Sequence, residues 1–143
     1  MLQEASTIIN KEGIATYYGP IFTAEENENL FNQLNASIEW KNEVGIMFGK
    51  EFITKREVAF YADNDDENEI VTDSSIASIS IGVARKFSFK HKVTKEKIDC
   101  LLESGSLLEM KGVIQKNWWH ALPKSKKVIE PRINLTFRLM KEK

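Results

Sequence analysis

Residues 118–138 read WWHALPKSKKVIEPRINLTFR and gather most of the side chains here that could hold a small anion or a metal. His120 is one of only 2 histidines in the chain and follows two tryptophans. Arg132, Asn134 and Arg138 are evenly spaced, so in a strand their side chains share one face. Two guanidiniums on one face can clamp a dicarboxylate through forked hydrogen bonds. An outward-facing strand with surface arginines, and a neutral core histidine, would carry the same letters. A second stretch, FYADNDDENEIV at 60–71, is acidic at five of the seven residues from Asp63 to Glu69. It suits either a solvated hairpin turn or the carboxylate side of a metal site.

The elements that must position these groups are mostly strands. IASISIGV at 76–83 puts Ile76, Ser78 and Ser80 on one face and Ala77, Ile79 and Ile81 on the other. Alternation continues through RKFSFKHK, KIDCLLE and SLLEM, with Gly105 separating the last two. INLTFRLM closes the chain, with Ile133, Leu135, Phe137 and Leu139 opposite Asn134, Thr136, Arg138 and Met140. Upstream, IATYYGPIF runs as a strand into a turn at Gly19–Pro20, and GIMFG and REVAFYA read as strands. Thr23 and Glu26 form a capping box, which predicts a helix. Leu30, Phe31, Leu34 and Ile38 recur at helical spacing and predict one buried stripe. The expected architecture is mainly β, a sandwich or barrel-like jelly roll with a helix over one face.

At 143 residues, 42% hydrophobic and 29% charged, the chain suits one soluble domain. No apolar run approaches the ~20 residues needed to span a bilayer, and the N-terminus lacks the pattern of a secretion signal. A lone cysteine, Cys100, excludes an internal disulfide and suits a reducing, intracellular compartment. Asn35-Ala36-Ser37 and Asn134-Leu135-Thr136 therefore read as chance glycosylation triplets. Net charge is −1, but residues 1–84 hold 5 Lys/Arg against 15 Asp/Glu and residues 85–143 hold 15 against 6. A basic half can attract a polyanion such as nucleic acid. The two halves can equally neutralise one another within one domain.

SIASISIGVARKFSFKHK, SGSLLEMKG, NWWHALPKSKKV and PRINLTFR resemble, in that order, the catalytic half of the AlkB family of iron(II)- and 2-oxoglutarate-dependent dioxygenases. The lead-in from Ile9 to Asp63 resembles that family's N-terminal part. The resemblance implies a double-stranded β-helix, shortened here, with one or two N-terminal helices packed on it. It makes residues 1–143 one domain, with 1–62 as lead-in and 63–143 as catalytic-half strands. It implies Fe(II), 2-oxoglutarate and an alkylated DNA or RNA base as substrate, hence a role in DNA repair in the nucleus or cytoplasm and no membrane.

Carried over by position, His120 matches the distal metal ligand. Arg138 matches the arginine that binds the 2-oxoglutarate carboxylate nearest the keto group, Arg132 the one that pairs with the far carboxylate, and Asn134 lies between them. Counting back from IASISIG places the metal aspartate at Asp65, followed by Asp66, Glu67 and Glu69. The family's first metal histidine falls on Asp63, and no histidine stands upstream of it. An internal deletion joining FYADN to DDENE accounts for this. Asp63 then either substitutes as a ligand, giving an oxygen-rich site, or belongs to the lead-in turn. The resemblance thus implies an oxidative demethylase with an incomplete metal triad. The alternatives are an inactive remnant or isoform that binds nucleic acid or 2-oxoglutarate, or an interaction scaffold. Lost strands would expose sheet edges through which the chain could oligomerise.

Phe60 and Tyr61 could stack on an extruded base, core packing being the other reading of Phe60. His91 alternates with Phe87 and Phe89 and reads as structural. Trp118 and Trp119 read as core beside His120 rather than as a base platform. Lys124, Lys126 and Lys127 could touch phosphate or form a solvated basic loop.

Overall fold

The computed structural model describes residues 4–58, 71–123, 125–139 and 141, with backbone alone at 43–47 and 51–58. Thr23 Oγ1 accepts from the Glu26 amide at 3.1 Å, and the Glu26 carboxylate accepts from the Thr23 amide at 3.0 Å. This expected capping box opens α1 (Ala24–Ser37). The stripe on α1 is shallower than its spacing predicts. Leu30, Phe31, Leu34 and Ile38 are half-buried and no residue of α1 is fully buried. The helix lies against β5 (Ile76–Gly82) and the chain at residues 103–105 on the outer side of a sheet, so its stripe is covered from one side rather than surrounded by core.

Strands β1 (Ser6–Asn10), β2 (Ile14–Pro20), β8 (Ser106–Lys111), β5 and β10 (Arg132–Arg138) form one antiparallel sheet in the spatial order β1-β2-β8-β5-β10. Strands β7 (Lys97–Leu102), β6 (Arg85–His91) and β9 (Trp118–Ala121) form a second. β3 (Lys41–Met47) and β4 (Lys50–Val58) pair as a separate hairpin. Its turn places Phe48 in the left-handed region at φ 52, and the ring is 97% exposed. The two larger sheets face one another. Ile9, Ala15, Tyr17, Ile76, Leu108 and Met110 on the first pack with Phe89, Cys100, Leu102 and Trp118 on the second. A single helical turn, α2 (Ile114–Asn117), adds Ile114 to this core.

β7 and β8 are consecutive in sequence but belong to different sheets. The chain crosses between them at residues 103–105, where Gly105 has φ +78 and backs onto the Asn27 amide of α1. That switch of sheets is what closes the core on both sides, and it matches the two-layered jelly roll expected from the sequence. One helix, α1, stands near the N-terminus among the described residues, and α2 belongs to the region before β9.

His91 is structural, as its alternation suggests. It is 2% exposed, and its Nδ1 accepts from the amides of Val93 at 3.2 Å and Thr94 at 3.0 Å. Nε2 then carries the hydrogen and meets Glu12 Oε2. Trp118 is likewise core: it is 1% exposed, stands edge-on to His91 and donates Nε1–H to the Lys11 carbonyl at 3.0 Å. Trp119 corrects the sequence reading, being 51% exposed. Adjacent strand residues point to opposite faces, so burying Trp118 turns Trp119 to solvent.

Candidate functional site

β10 pairs with β5 in a continuous register, with Arg132 opposite Gly82, Asn134 opposite Ser80, Thr136 opposite Ser78 and Arg138 opposite Ile76. Directly opposed residues share a face. The face carrying Arg132, Asn134, Thr136 and Arg138 is therefore the one that carries Ser78, Ser80 and Ile76. β5 passes the same face to β8, where Ser78 opposes Leu108 and Ile76 opposes Met110, both core residues. The inner face of this sheet is thus mainly apolar from β1 to β8, Ser106 apart, and polar at β10.

The polar end is already organised. Arg132 Nη2 donates to Ser80 Oγ at 2.8 Å and to Asn134 Oδ1 at 3.4 Å. Ser78 Oγ donates to Asn134 Oδ1 at 2.7 Å, and Asn134 Nδ2 donates to Thr136 Oγ1 at 2.7 Å. Ser80 is 2% and Ser78 9% exposed, so the serines form the dry floor beneath the arginine and the asparagine. Such a network fixes donor directions in advance of any ligand. Ser78 and Ser80 did not stand out as site residues in the sequence. Their signal was the serine alternation within IASISIG, on a strand otherwise made of isoleucine, alanine and glycine.

His120 comes from the facing sheet. It lies opposite Phe89 in the β9–β6 register, and its ring centroid is 6.3 Å from Phe89 and 5.6 Å from Phe87. Phe89 belongs to the core, so His120 lies on the inner face of β9, where it is itself exposed at the mouth of the space between the sheets. Partial loss of water beside these rings lowers its pKa below the ordinary 6.5, and the positive charge of Arg138 lowers it further. The neutral imidazole that results is the form that binds a metal. Arg85, from the same sheet, donates Nη2–H to the Pro123 carbonyl at 2.6 Å and ties down the chain just after β9.

The structure thus brings His120, Arg132, Asn134 and Arg138 to the open end of the space between the two sheets. The other expected site residues, Phe60, Tyr61, Asp63 and Asp65, lie outside the described residues, as do Asp66, Glu67, Glu69 and Lys124. Among the described residues no group of three His, Cys, Asp or Glu side chains could hold a metal. Val71 lies beside the end of β10, its amide donating to the Leu139 carbonyl at 2.8 Å. Lys126 and Lys127 are exposed.

Comparison with known proteins places a family on this arrangement. A model described as the 2OG-Fe(II) oxygenase superfamily matches residues 54–138. The DNA oxidative demethylase ALKBH2 of Homo sapiens is 44% identical over 82 residues, which are 52% of this chain and 31% of that protein. The alpha-ketoglutarate-dependent dioxygenase alkB homolog 3 of Bos taurus is 38% identical over 84 residues, 52% of this chain and 29% of that protein. The DNA oxidative demethylase ALKBH2 of Arabidopsis thaliana is 35% identical over 106 residues, 58% of this chain and 33% of that protein. The chain spans about a third of the length of these relatives.

Proposed function

The chain belongs to the 2OG-Fe(II) oxygenase superfamily as an AlkB-like member, and from that premise we propose that it binds 2-oxoglutarate on the inner face of β10 and acts with Fe(II) on N-alkylated bases of nucleic acid. Fe(II) and 2-oxoglutarate are the cofactor and co-substrate of the superfamily. The observation that carries the reading is the row Arg132–Ser80–Asn134–Ser78, hydrogen-bonded in advance and facing the same space as His120. A dicarboxylate needs two cationic groups set apart, with neutral donors between. Arg138 and Arg132 stand six residues apart on one strand face, about 20 Å at the ~3.4 Å rise of a strand, so both long side chains would have to extend along the strand to meet one dicarboxylate, as Arg132 already does toward Asn134. Arg138 takes the carboxylate nearest the keto group, Arg132 the far one, and Asn134 the space between.

His120 is the imidazole donor for the metal. Asp65 is the proposed carboxylate donor, and Asp63 either substitutes for the family's first histidine or belongs to the lead-in turn, which leaves Asp65 and His120 as the two ligands. Val71 is held at the Arg138 end of β10, and Asp65 is six residues upstream. An extended chain of that length reaches about 20 Å from the Arg138 end of β10, the strand end whose charge acts on His120. When bound, Fe(II) supplies the activation of oxygen. The protein's own part is to present a neutral imidazole, orient the dicarboxylate and keep the apolar wall of Phe87 and Phe89 beside the metal position. The bare ring of Phe48 on its hairpin tip offers a face on which a nucleic-acid base can stack.

A second reading is favoured by Asp63 standing where the motif has histidine. In it the clamp binds 2-oxoglutarate and the metal site does not turn it over. Succinate release with Fe(II) and a methylated single-stranded oligonucleotide separates the two readings. Turnover abolished by Asp65→Ala and by His120→Ala supports the enzyme. Calorimetric binding of 2-oxoglutarate that weakens in Arg138→Ala, without succinate, supports the binding protein. An absence of both would overturn the clamp itself.

On the same reading, residues 1–143 act as one domain, 1–62 as lead-in and 63–143 as catalytic half, inside the cell in nucleus or cytoplasm. No helix among the described residues is long and apolar enough to cross a membrane. Among those residues β10 has one strand neighbour, β5, and its other side is where a second copy would pair.

A further inference from the structure

We propose that the outer face of the three-stranded sheet is a second contact surface for single-stranded nucleic acid, built from Lys90, Lys95, Lys97 and Trp119. It deepens the reading of a nucleic-acid-directed protein by adding a track on the far side of β9 from His120. In the sheet register Lys90 lies directly between Lys97 on β7 and Trp119 on β9. All three are exposed. Lys95, in the turn between β6 and β7, swings back so that its Nζ stands 4.7 Å from the centre of the Trp119 ring. Lys86 lies on the same face, four residues before Lys90 on β6.

Two features make this face more than solvated charge. Lys90 and Lys97 oppose one another directly, and like charges in that position repel at Cβ separations of about 5 Å. The one carboxylate in these strand positions, Asp99, sits beside Lys86 and Lys97 and accepts from Ser88 Oγ at 2.6 Å, which leaves Lys90 at the centre. Glu96 stands in the adjoining turn. A phosphate between Lys90 and Lys97 would relieve their repulsion. The second feature is the indole. Trp119 is 51% exposed and is held in place by Lys95 over its ring, so an aromatic plane stands at the end of a cationic row. A backbone-tracking cationic groove with an aromatic stacking plane is the arrangement that binds single strands without sequence preference. Because Trp119 and His120 are consecutive on one strand, they face opposite ways. A strand held on the outside leaves the inner space open.

The test is fluorescence anisotropy of the full chain with a labelled oligothymidylate across a salt series. The wild-type protein is expected to bind, with affinity falling as salt rises. Lys90→Gln/Lys97→Gln should flatten that dependence by about 1.4 in log–log slope, from ~0.7 per phosphate contact on single strands. Trp119→Ala should weaken binding by roughly 5-fold or more, the lower end of base–aromatic stacking. In the wild-type protein the oligonucleotide should also protect Lys90, Lys95 and Lys97 from acetylation, a readout that needs no variant. Calorimetry with 2-oxoglutarate reports the clamp separately and should be unchanged in these variants, so failure of the patch and failure of the clamp are distinct. No binding by the wild type, unchanged binding by both variants, lysines acetylated equally with and without oligonucleotide, or preference for anionic vesicles over the oligonucleotide would each overturn the proposal.

Discussion

Arg132 reaches across the sheet to Ser80, not to the residue directly opposite it. Its register partner is Gly82, which has no side chain, so the guanidinium runs diagonally to a serine 2% exposed on the neighbouring strand. Ser80→Ala removes that acceptor and leaves the arginine less fixed. A hydrogen bond to a charged group contributes about 1.5–3 kcal/mol at most, so 2-oxoglutarate affinity should fall by roughly tenfold. Calorimetry measures it; an unchanged affinity would mean that the clamp does not depend on this contact.

His91→Phe keeps an aromatic ring but leaves the Val93 and Thr94 amides without their acceptor and Glu12 without its donor. The unsatisfied turn should cost about 1–3 kcal/mol. Urea unfolding gives the value. A midpoint equal to wild type would show that the turn holds itself.

Alkali should unfold the protein earlier than its charge would suggest. Burial raises the Cys100 thiol above its ordinary 9.0, and the charge of Glu103 raises it further. Burial also raises Tyr17 above 10.0, against the lowering effect of the Glu103 amide it contacts. A raised group keeps its proton in the fold after the unfolded chain has released it. The stability it contributes is present below the unfolded value and is lost as pH rises through the folded one. The urea midpoint should therefore start to fall from about pH 9, with Tyr17 joining above about pH 10. Cys100→Ala should flatten the first part of that fall. A flat profile to pH 10.5 would contradict it. Below pH 9 the buried thiol should react slowly with iodoacetamide.

Gly105→Ala should destabilise by about 1–2 kcal/mol, because φ +78 is costly for any residue with a Cβ. The new methyl also meets the Asn27 amide on α1, so pairing it with Asn27→Ala should recover part of the loss. Asn27→Ala alone gives the cost of losing its bond to the Ser104 carbonyl; if the two single costs simply add in the double variant, backbone strain accounts for the effect of Gly105→Ala.

Local rules made much of this molecule readable. The capping box between Thr23 and Glu26 is a pattern of neighbours, and it formed. The alternation of Ile133, Leu135 and Phe137 with Arg132, Asn134 and Arg138 sorted the faces of β10 correctly, because strand period needs no knowledge of the partner strand. What depends on partners was less legible. WWH gives no sign of which tryptophan is inside; that followed from pairing Trp118 with His91 on β6. Gly105 marked a turn between β7 and β8, but not that the two strands enter different sheets. The serine alternation of IASISIG marked a polar face, but not that Ser78 and Ser80 would floor a cationic cluster, since that arises only when β10 settles against β5. The expected residues between Phe60 and Glu69 fall outside the described part, and their roles rest on the resemblance.

The seven-for-seven pairing of β10 with β5 has a consequence for how this site can change over time. Letters along β10 can be exchanged one at a time, each altering one contact. The number of letters cannot. A single residue inserted after Arg132 would send Asn134 and Arg138 to the helix-facing side and bring leucine and phenylalanine inward. The anion clamp would vanish while the composition stayed almost the same. Point substitution can tune this site; a one-codon insertion or deletion within the strand would end it.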